Sequence, residues 1–184
     1  MTDLPEGFLF QPEFLSEEDE AGLLAIIQRM DLQPFQMHGV WSKRRIAHLG
    51  YRYSFTERSA MESAPIPEAF LPLRDRLAGA VSVAPEELAE ALVTEYSTGA
   101  GIGWHRDAPM FGIVAAVSLL GSCRMRFQRG KNAEREVREI ELPPRSMYAI
   151  TGTSRSEWQH SIPATKALRY SITFRTLRRR ARQK

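Results

Sequence analysis

Near residue 90 the chain changes its period, and this change limits the possible folds more than any other feature. Upstream, apolar residues recur at helical spacing. Ser16 followed by Asp19 resembles a capping box, and Leu23, Leu24, Ile27 and Met30 then share one helical face. A second helix is expected from Pro67, with Phe70, Leu73, Leu77 and Val81 as its buried stripe. Downstream, short runs rich in β-branched and aromatic residues cover 91–97, 102–107, 112–119, 123–128, 135–142, 146–151, 157–162 and 168–176. Gly99–Ala100–Gly101, Gly121–Ser122, Gly130–Lys131–Asn132 and Pro143–Pro144 punctuate them. In the last run Arg169, Ser171, Thr173 and Arg175 fall on one face and Tyr170, Ile172 and Phe174 on the other. About eight short strands after a helical layer predict an α+β chain, a jelly roll (double-stranded β-helix) braced by N-terminal helices.

No repeat or composition break divides the chain. The expectation is therefore one domain over 1–184, with helices and a recognition lid in 1–90, the jelly-roll core in 91–177 and a basic tail in 178–184. No apolar run approaches the ~20 residues that span a membrane. The N-terminus lacks the pattern of a signal peptide, and the single cysteine, Cys123, excludes an internal disulfide and suits a reducing compartment. A cytoplasmic monomer is the default expectation. Net charge is only +3, yet all but four of the 25 basic residues are arginine. Arginine codons favoured by a GC-rich genome explain that as readily as a need to grip phosphates or carboxylates.

The four histidines are His38, His48, His105 and His160. In His105–Arg106–Asp107 a strand would turn residues i and i+2 to the same side, so both can reach one ion. His160 lies 55 residues later, near the start of the penultimate run. Two histidines and a carboxylate on one face of an octahedral ion leave three positions open, which is the facial triad of non-haem Fe(II) oxygenases. Zinc accepts the same ligands but usually keeps one open position. An isolated HxD is more often a chance pairing, so the arginines matter. Arg169 and Arg175 face inward on the last strand, where two guanidinium groups need anionic partners. A 2-oxoglutarate cosubstrate brings such a group: one carboxylate chelates iron with the keto oxygen, and the distal one needs a buried cation able to form two parallel bonds.

With these residues in view, the chain resembles the AlkB family of 2-oxoglutarate oxygenases, most densely from Thr94 to Arg175. Tyr96 to Asp107 is similar to the family's Asn-x-Tyr-x-x-Gly segment leading into HxD, Val117–Gly121 to its Ser-Leu-Gly strand, the stretch from Arg145 to His160 to the one ending at the second histidine, and Arg169–Arg175 to its closing Arg-x-(Asn/Ser)-x-Thr-Phe-Arg. The resemblance implies that His105, Asp107 and His160 bind Fe(II), with 2-oxoglutarate and O2 as cosubstrates. It implies that Arg169 holds the distal carboxylate with help from Tyr96 and Ser171, and that Arg175 lies near the metal-side carboxylate. The family asparagine is Thr94 here. The segment Ala47–Ser54 resembles the nucleotide-recognition lid. There Tyr51 and Tyr53 would stack on a base, and nearby Arg44, Arg45 and Arg52 would meet phosphates; alternatively the two tyrosines form one inward face of an ordinary strand.

The implied activity is oxidative demethylation of N-alkylated bases in DNA or RNA, releasing formaldehyde, succinate and CO2. One departure bears on the substrate. Relatives that repair nucleic acids often carry an acid two residues after the metal-binding Asp, and here that position is Pro109. A hydroxylase of a protein or small molecule on the same core, or an inactive binding module, are the competing classes.

Overall fold

The last run lies at the heart of the larger sheet because it is apolar on one face and polar on the other, so both faces can be covered. The structure, a computed structural model, describes residues 4–37, 40–54 and 59–178, at positions 35–37, 40, 52–54, 59 and 60 through the backbone alone. The elements in order are β1 (Phe8–Gln11), α1 (Glu17–Ile27), β2 (Gln33–Met37), β3 (Val40–Leu49), β4 (Tyr51–Ser54), β5 (Ser59–Glu62), α2 (Leu71–Ala80), β6 (Leu88–Tyr96), β7 (Ile102–His105), β8 (Phe111–Leu119), β9 (Cys123–Arg129), β10 (Glu136–Leu142), β11 (Met147–Ile150), α3 (Gly152–Ser156), β12 (Gln159–Ile162) and β13 (Arg169–Leu177). Seven strands form the major sheet in the order β1-β11-β8-β13-β6-β3-β2, and four form the minor sheet in the order β10-β9-β12-β7. Facing each other, the sheets make the expected jelly roll. A separate hairpin joins β4 to β5.

Both expected helices form. The Ser16 hydroxyl accepts from the Asp19 amide while the Asp19 carboxylate accepts from the Ser16 amide, closing the capping box of α1. Leu23 and Ile27 of α1 and Leu73 and Leu77 of α2 are buried against the outer face of the major sheet, where they meet Val93, Ile172 and Phe174. The second helix starts later than Pro67 because residues Glu68–Phe70 form a tighter 3-10 turn first.

The N-terminal half is less helical than its periodicity implies. Five strands precede residue 90, and three of them, β1, β2 and β3, extend the major sheet. β1 is only four residues long, and the apolar residues of β2 and β3 are irregularly spaced, so neither period stands out. What makes them strands is pairing: β1 along β11 and β3 along β6. A short helix, α3, also interrupts the run-up to His160.

The second core fills the space between the sheets, with Phe127, Met125, Val114, Ala116, Ile150 and Ile162. Because β13 alternates, the side opposite Ile172 and Phe174 turns Arg169, Ser171, Thr173 and Arg175 into this same space. One close approach matters there. A Cβ on Gly101 would sit 2.6 Å from the Ile162 carbonyl oxygen, so only glycine lets β7 start this near β12. Among the described residues, no helix is long and apolar enough to cross a membrane.

Candidate active site

Antiparallel pairing of β7 and β12 sets His105 directly opposite His160, and their rings lie 4.2 Å apart. Asp107 follows the end of β7. Its Oδ2 is 3.9 Å from His160 Nε2, and ligand atoms of all three residues fall within 4.8 Å of one another. That is the spacing one ion needs to touch all three. Among the described residues no other group of three or more His, Cys, Asp or Glu side chains gathers in this way.

The protonation states suit a cation. Burial pushes His160 down to about 3, with His105 adding to the shift and Asp107 opposing it. His105 is lowered as well, chiefly by burial. Its Nδ1 lies 2.9 Å from the Gly103 carbonyl oxygen, so this nitrogen donates and Nε2 is left with its lone pair. Burial alone would raise the Asp107 carboxyl. Arg175 first, then His160, His105 and Arg155, overcome it and hold the group at about 2.

Arg169 and Arg175 both occupy the inward face of β13, as expected. Arg175 is paired twice, at 3.3 Å through Nη1 to Glu90 Oε1 and at 3.2 Å through Nη2 to Asp107 Oδ1. Arg169 is fully buried, and its Nε donates to Ser118 Oγ at 3.0 Å. Among the described residues its Nη1 and Nη2 have no hydrogen-bond partner. Tyr96 covers the guanidinium at 4.9 Å from ring centroid to carbon. Tyr148 and Cys123 also border it. Two buried charged donors left without partners fit an anionic ligand with paired oxygens, the form a carboxylate has. The residues present therefore fit both Fe(II) and the distal carboxylate of 2-oxoglutarate.

One cavity opens on the triad and Arg175. Its wall includes His105, Asp107, His160, Tyr96, Ser171 and Arg175, and also Thr94 and Arg44. Arg44 and Arg45 separate because adjacent strand residues point to opposite faces. Arg44 is 8% exposed and lies 5.9 Å from the Tyr96 ring centroid. Arg45 turns outward and grips Glu95 with two bonds of 2.8 and 2.7 Å, and the Tyr170 hydroxyl donates to the same carboxylate. Arg44 and Arg45, both expected to meet phosphates, thus point to opposite faces, and the half-exposed guanidinium of Arg45 is paired with an acid of the fold. Tyr51 sits on the β4–β5 hairpin opposite Glu62, half-buried, and is not part of the cavity wall. Tyr53 and Arg52 lie on the same strand, and their side chains are outside the described ones, as is His38.

Two residues at the site escape a reading of sequence. Arg155 of α3 is 7% exposed and donates to the main-chain carbonyls of Gly112, Asp107, Ala108 and Phe111, tying down the loop after the triad aspartate. Its short helix carries no periodic signal. Glu90 is fully buried, between Arg175 and His48 Nδ1 at 3.2 Å. The available clue was an acid on the same strand face as Leu88 and Leu92, across from two inward arginines.

Residues 11–175 match the model of the 2OG-Fe(II) oxygenase superfamily. An Arabidopsis thaliana protein named alkylated DNA repair protein ALKBH8 homolog is 27% identical over 87% of this chain and 51% of its own length. A Mus musculus protein named tRNA (carboxymethyluridine(34)-5-O)-methyltransferase ALKBH8 is 28% identical over 89% of this chain and 25% of its own length. The chain thus spans about half and a quarter of these two relatives. The solved structure of OsALKBH1 superposes with a TM-score of 0.74 at 17% identity, covering 95% of this chain and 98% of that one, which speaks for the fold alone.

Proposed function

Because the chain belongs to the 2OG-Fe(II) oxygenase superfamily as an AlkB-like member that uses Fe(II), 2-oxoglutarate and O2, we propose that it oxidatively demethylates N-alkylated bases in DNA or RNA, with formaldehyde, succinate and CO2 as products. The observation that carries the reading is three converging ligand side chains on one cavity wall, together with a fully buried guanidinium, that of Arg169 on the same inward face of β13 behind Tyr96, whose terminal nitrogens have no hydrogen-bond partner among the described residues.

His105, Asp107 and His160 would hold the metal, two neutral imidazoles and one carboxylate. Bound Fe(II), with 2-oxoglutarate and O2, supplies an oxidant able to take hydrogen from a substrate C–H bond. Arg169 would take the distal carboxylate of the cosubstrate in a two-bond fork. The Ser118 hydroxyl, by accepting from Nε, aims that fork, and Tyr96 packs on its face and keeps water from it. Arg155 holds the loop that carries Asp107, so the carboxylate stays in place when the site fills. Tyr51 is the residue of the hairpin assigned to stack on the target base, with Tyr53 as its neighbour, and Arg44 is the cationic residue placed to touch the substrate itself.

A second reading has a specific observation behind it. A base carrying an extra alkyl group on a ring nitrogen is often cationic, yet apart from Asp107 the charged side chains on the cavity wall are Arg44 and Arg175. Arg44 near the triad favours a neutral or anionic group and keeps hydroxylation of a protein or small-molecule substrate in contention. The test is anaerobic loading with Fe(II) followed by addition of 2-oxoglutarate and O2 in the presence of methylated single-stranded DNA, methylated tRNA or control peptides. Formaldehyde released from a nucleic acid alone is the expected result. Succinate formation coupled to a hydroxylated peptide or metabolite, with no formaldehyde, would replace the demethylase reading with the second one.

A further inference from the structure

Glu90 is a carboxylate with no exposed surface, one turn of the strand pleat away from the site, and no step of the proposed chemistry uses it. Its backbone pairs with that of Arg175 across β6 and β13. Its Oε1 accepts from Arg175 Nη1 at 3.3 Å and lies 3.2 Å from His48 Nδ1 on β3. Its Oε2 has no hydrogen-bond partner among the described residues. Burying an acid with half its acceptors idle is expensive, so the acid is retained for something other than stability. On the far side of Arg175, Nη2 reaches Asp107 Oδ1 at 3.2 Å, and the other oxygen, Oδ2, turns toward His160.

We propose that Glu90, held by His48, is a positioning residue for the metal site: through Arg175 it keeps Asp107 Oδ1 occupied, so that Asp107 offers a metal one oxygen and not two. The inference rests on the assignment of His105, Asp107 and His160 as metal ligands. Two physical effects lie behind it. Glu90 fixes the guanidinium plane so that Nη1 and Nη2 address different carboxylates. Its charge also balances that of Arg175, which otherwise would draw Asp107 away from a cation at close range. Keeping Asp107 to one oxygen leaves three positions of an octahedral ion open, which is what a chelating cosubstrate and O2 together require.

The test is equilibrium titration with Co(II) alone, without cosubstrate or turnover, followed by the visible spectrum of the Co(II) protein. Glu90→Gln retains size and an acceptor but not charge. Its expected effect is an affinity loss of about 10–100-fold, the usual range for groups that orient metal ligands, and a changed Co(II) spectrum. A residue that merely fills space would alter the melting temperature and leave the spectrum alone. Should Glu90→Gln fail to fold, His48→Ala takes its place, since that side chain is part-exposed and its removal only loosens Glu90; a severalfold loss of Co(II) affinity is then expected. Parent affinity and parent spectrum in Glu90→Gln, or in His48→Ala where that variant has to be used, overturn the proposal. If the parent protein itself fails to bind Co(II), the metal-site assignment falls instead.

Discussion

Arg169 and Arg175 stand on the same face of the same strand, both buried, and they do opposite things. Arg175 has an acid on each side, Glu90 and Asp107. Arg169 has a hydroxyl at Nε, aromatic surface around it and, among the described residues, no hydrogen-bond partner at either terminal nitrogen. A buried guanidinium whose charge is answered inside the chain belongs to the fold and tunes what it touches. One whose charge is left open awaits a ligand. Strand alternation makes the two look equivalent; what separates them is which residue of β6 lies across from each end of β13. Arg175 faces Glu90 on β6, while Arg169 faces Tyr96.

The sharpest way to break this contrast is to titrate 2-oxoglutarate into Arg169→Ala. Removing one partner of a buried ion pair costs ~3–5 kcal/mol, so binding should weaken more than about a hundredfold. Arg169→Lys should recover little, because an ammonium cannot make the fork. An unaltered titration would hand the role to another cation, with Arg175 the first to examine.

Thermal unfolding of the metal-free protein separates the two arginines by sign. Arg175→Met abandons Glu90 and Asp107 and should destabilise by ~3–5 kcal/mol. Arg169→Met removes an unanswered charge, and the change should be near zero or stabilising by ~1–4 kcal/mol, as when apolar residues replace buried ions. If both variants lose stability alike, the contrast between an occupied and a waiting guanidinium is void.

Arg44 and Arg45 extend the comparison to β3. Arg44→Ala should weaken substrate use by about tenfold, the value of one hydrogen bond to a charged group, while Arg45→Ala leaves it unchanged. Steady-state kinetics on the substrate found in the formaldehyde assay decide this. Equal effects would mean that the inward and outward faces of β3 do not sort substrate contact from structure.

The smallest expected effect is at Glu95. Its hydrogen bond from Arg45 holds the carboxyl below its ordinary value of 4.5, against burial and with help from Tyr170. A carboxyl lowered in the fold stabilises above its unfolded pKa and loses that contribution as pH falls through the folded value. Arg45 is half exposed, so Glu95→Gln should cost only ~0.2–1 kcal/mol at neutral pH and nothing once the acid titrates. Denaturant unfolding of both proteins from pH 7 down to pH 3 measures it; a pH-independent difference would point to packing.

Much of the site was legible because strand periodicity and metal chemistry act over short distances in sequence. The inward set on β13 is spaced by twos, so its side-chain direction follows from the strand alone, and His105 and Asp107 sit two apart, close enough to share an ion although Asp107 lies past the end of β7. The helices around Leu23 and Leu73 were legible for the same reason, since a buried stripe repeats locally. Strands β1 to β3 were not, because β1 is too short for a period to show and β2 and β3 space their apolar residues irregularly, while β1 and β3 are held by hydrogen bonds to partners far along the chain. Sequence by itself determined which residues could bind a cation or a carboxylate. Only tertiary structure decided that His160 lies across from His105, that Glu90 answers Arg175, that Glu95 claims Arg45, and that no described residue pairs with the terminal nitrogens of Arg169. A buried charge is settled by whichever groups the fold brings within a few ångströms, and those come from strands distant in the chain.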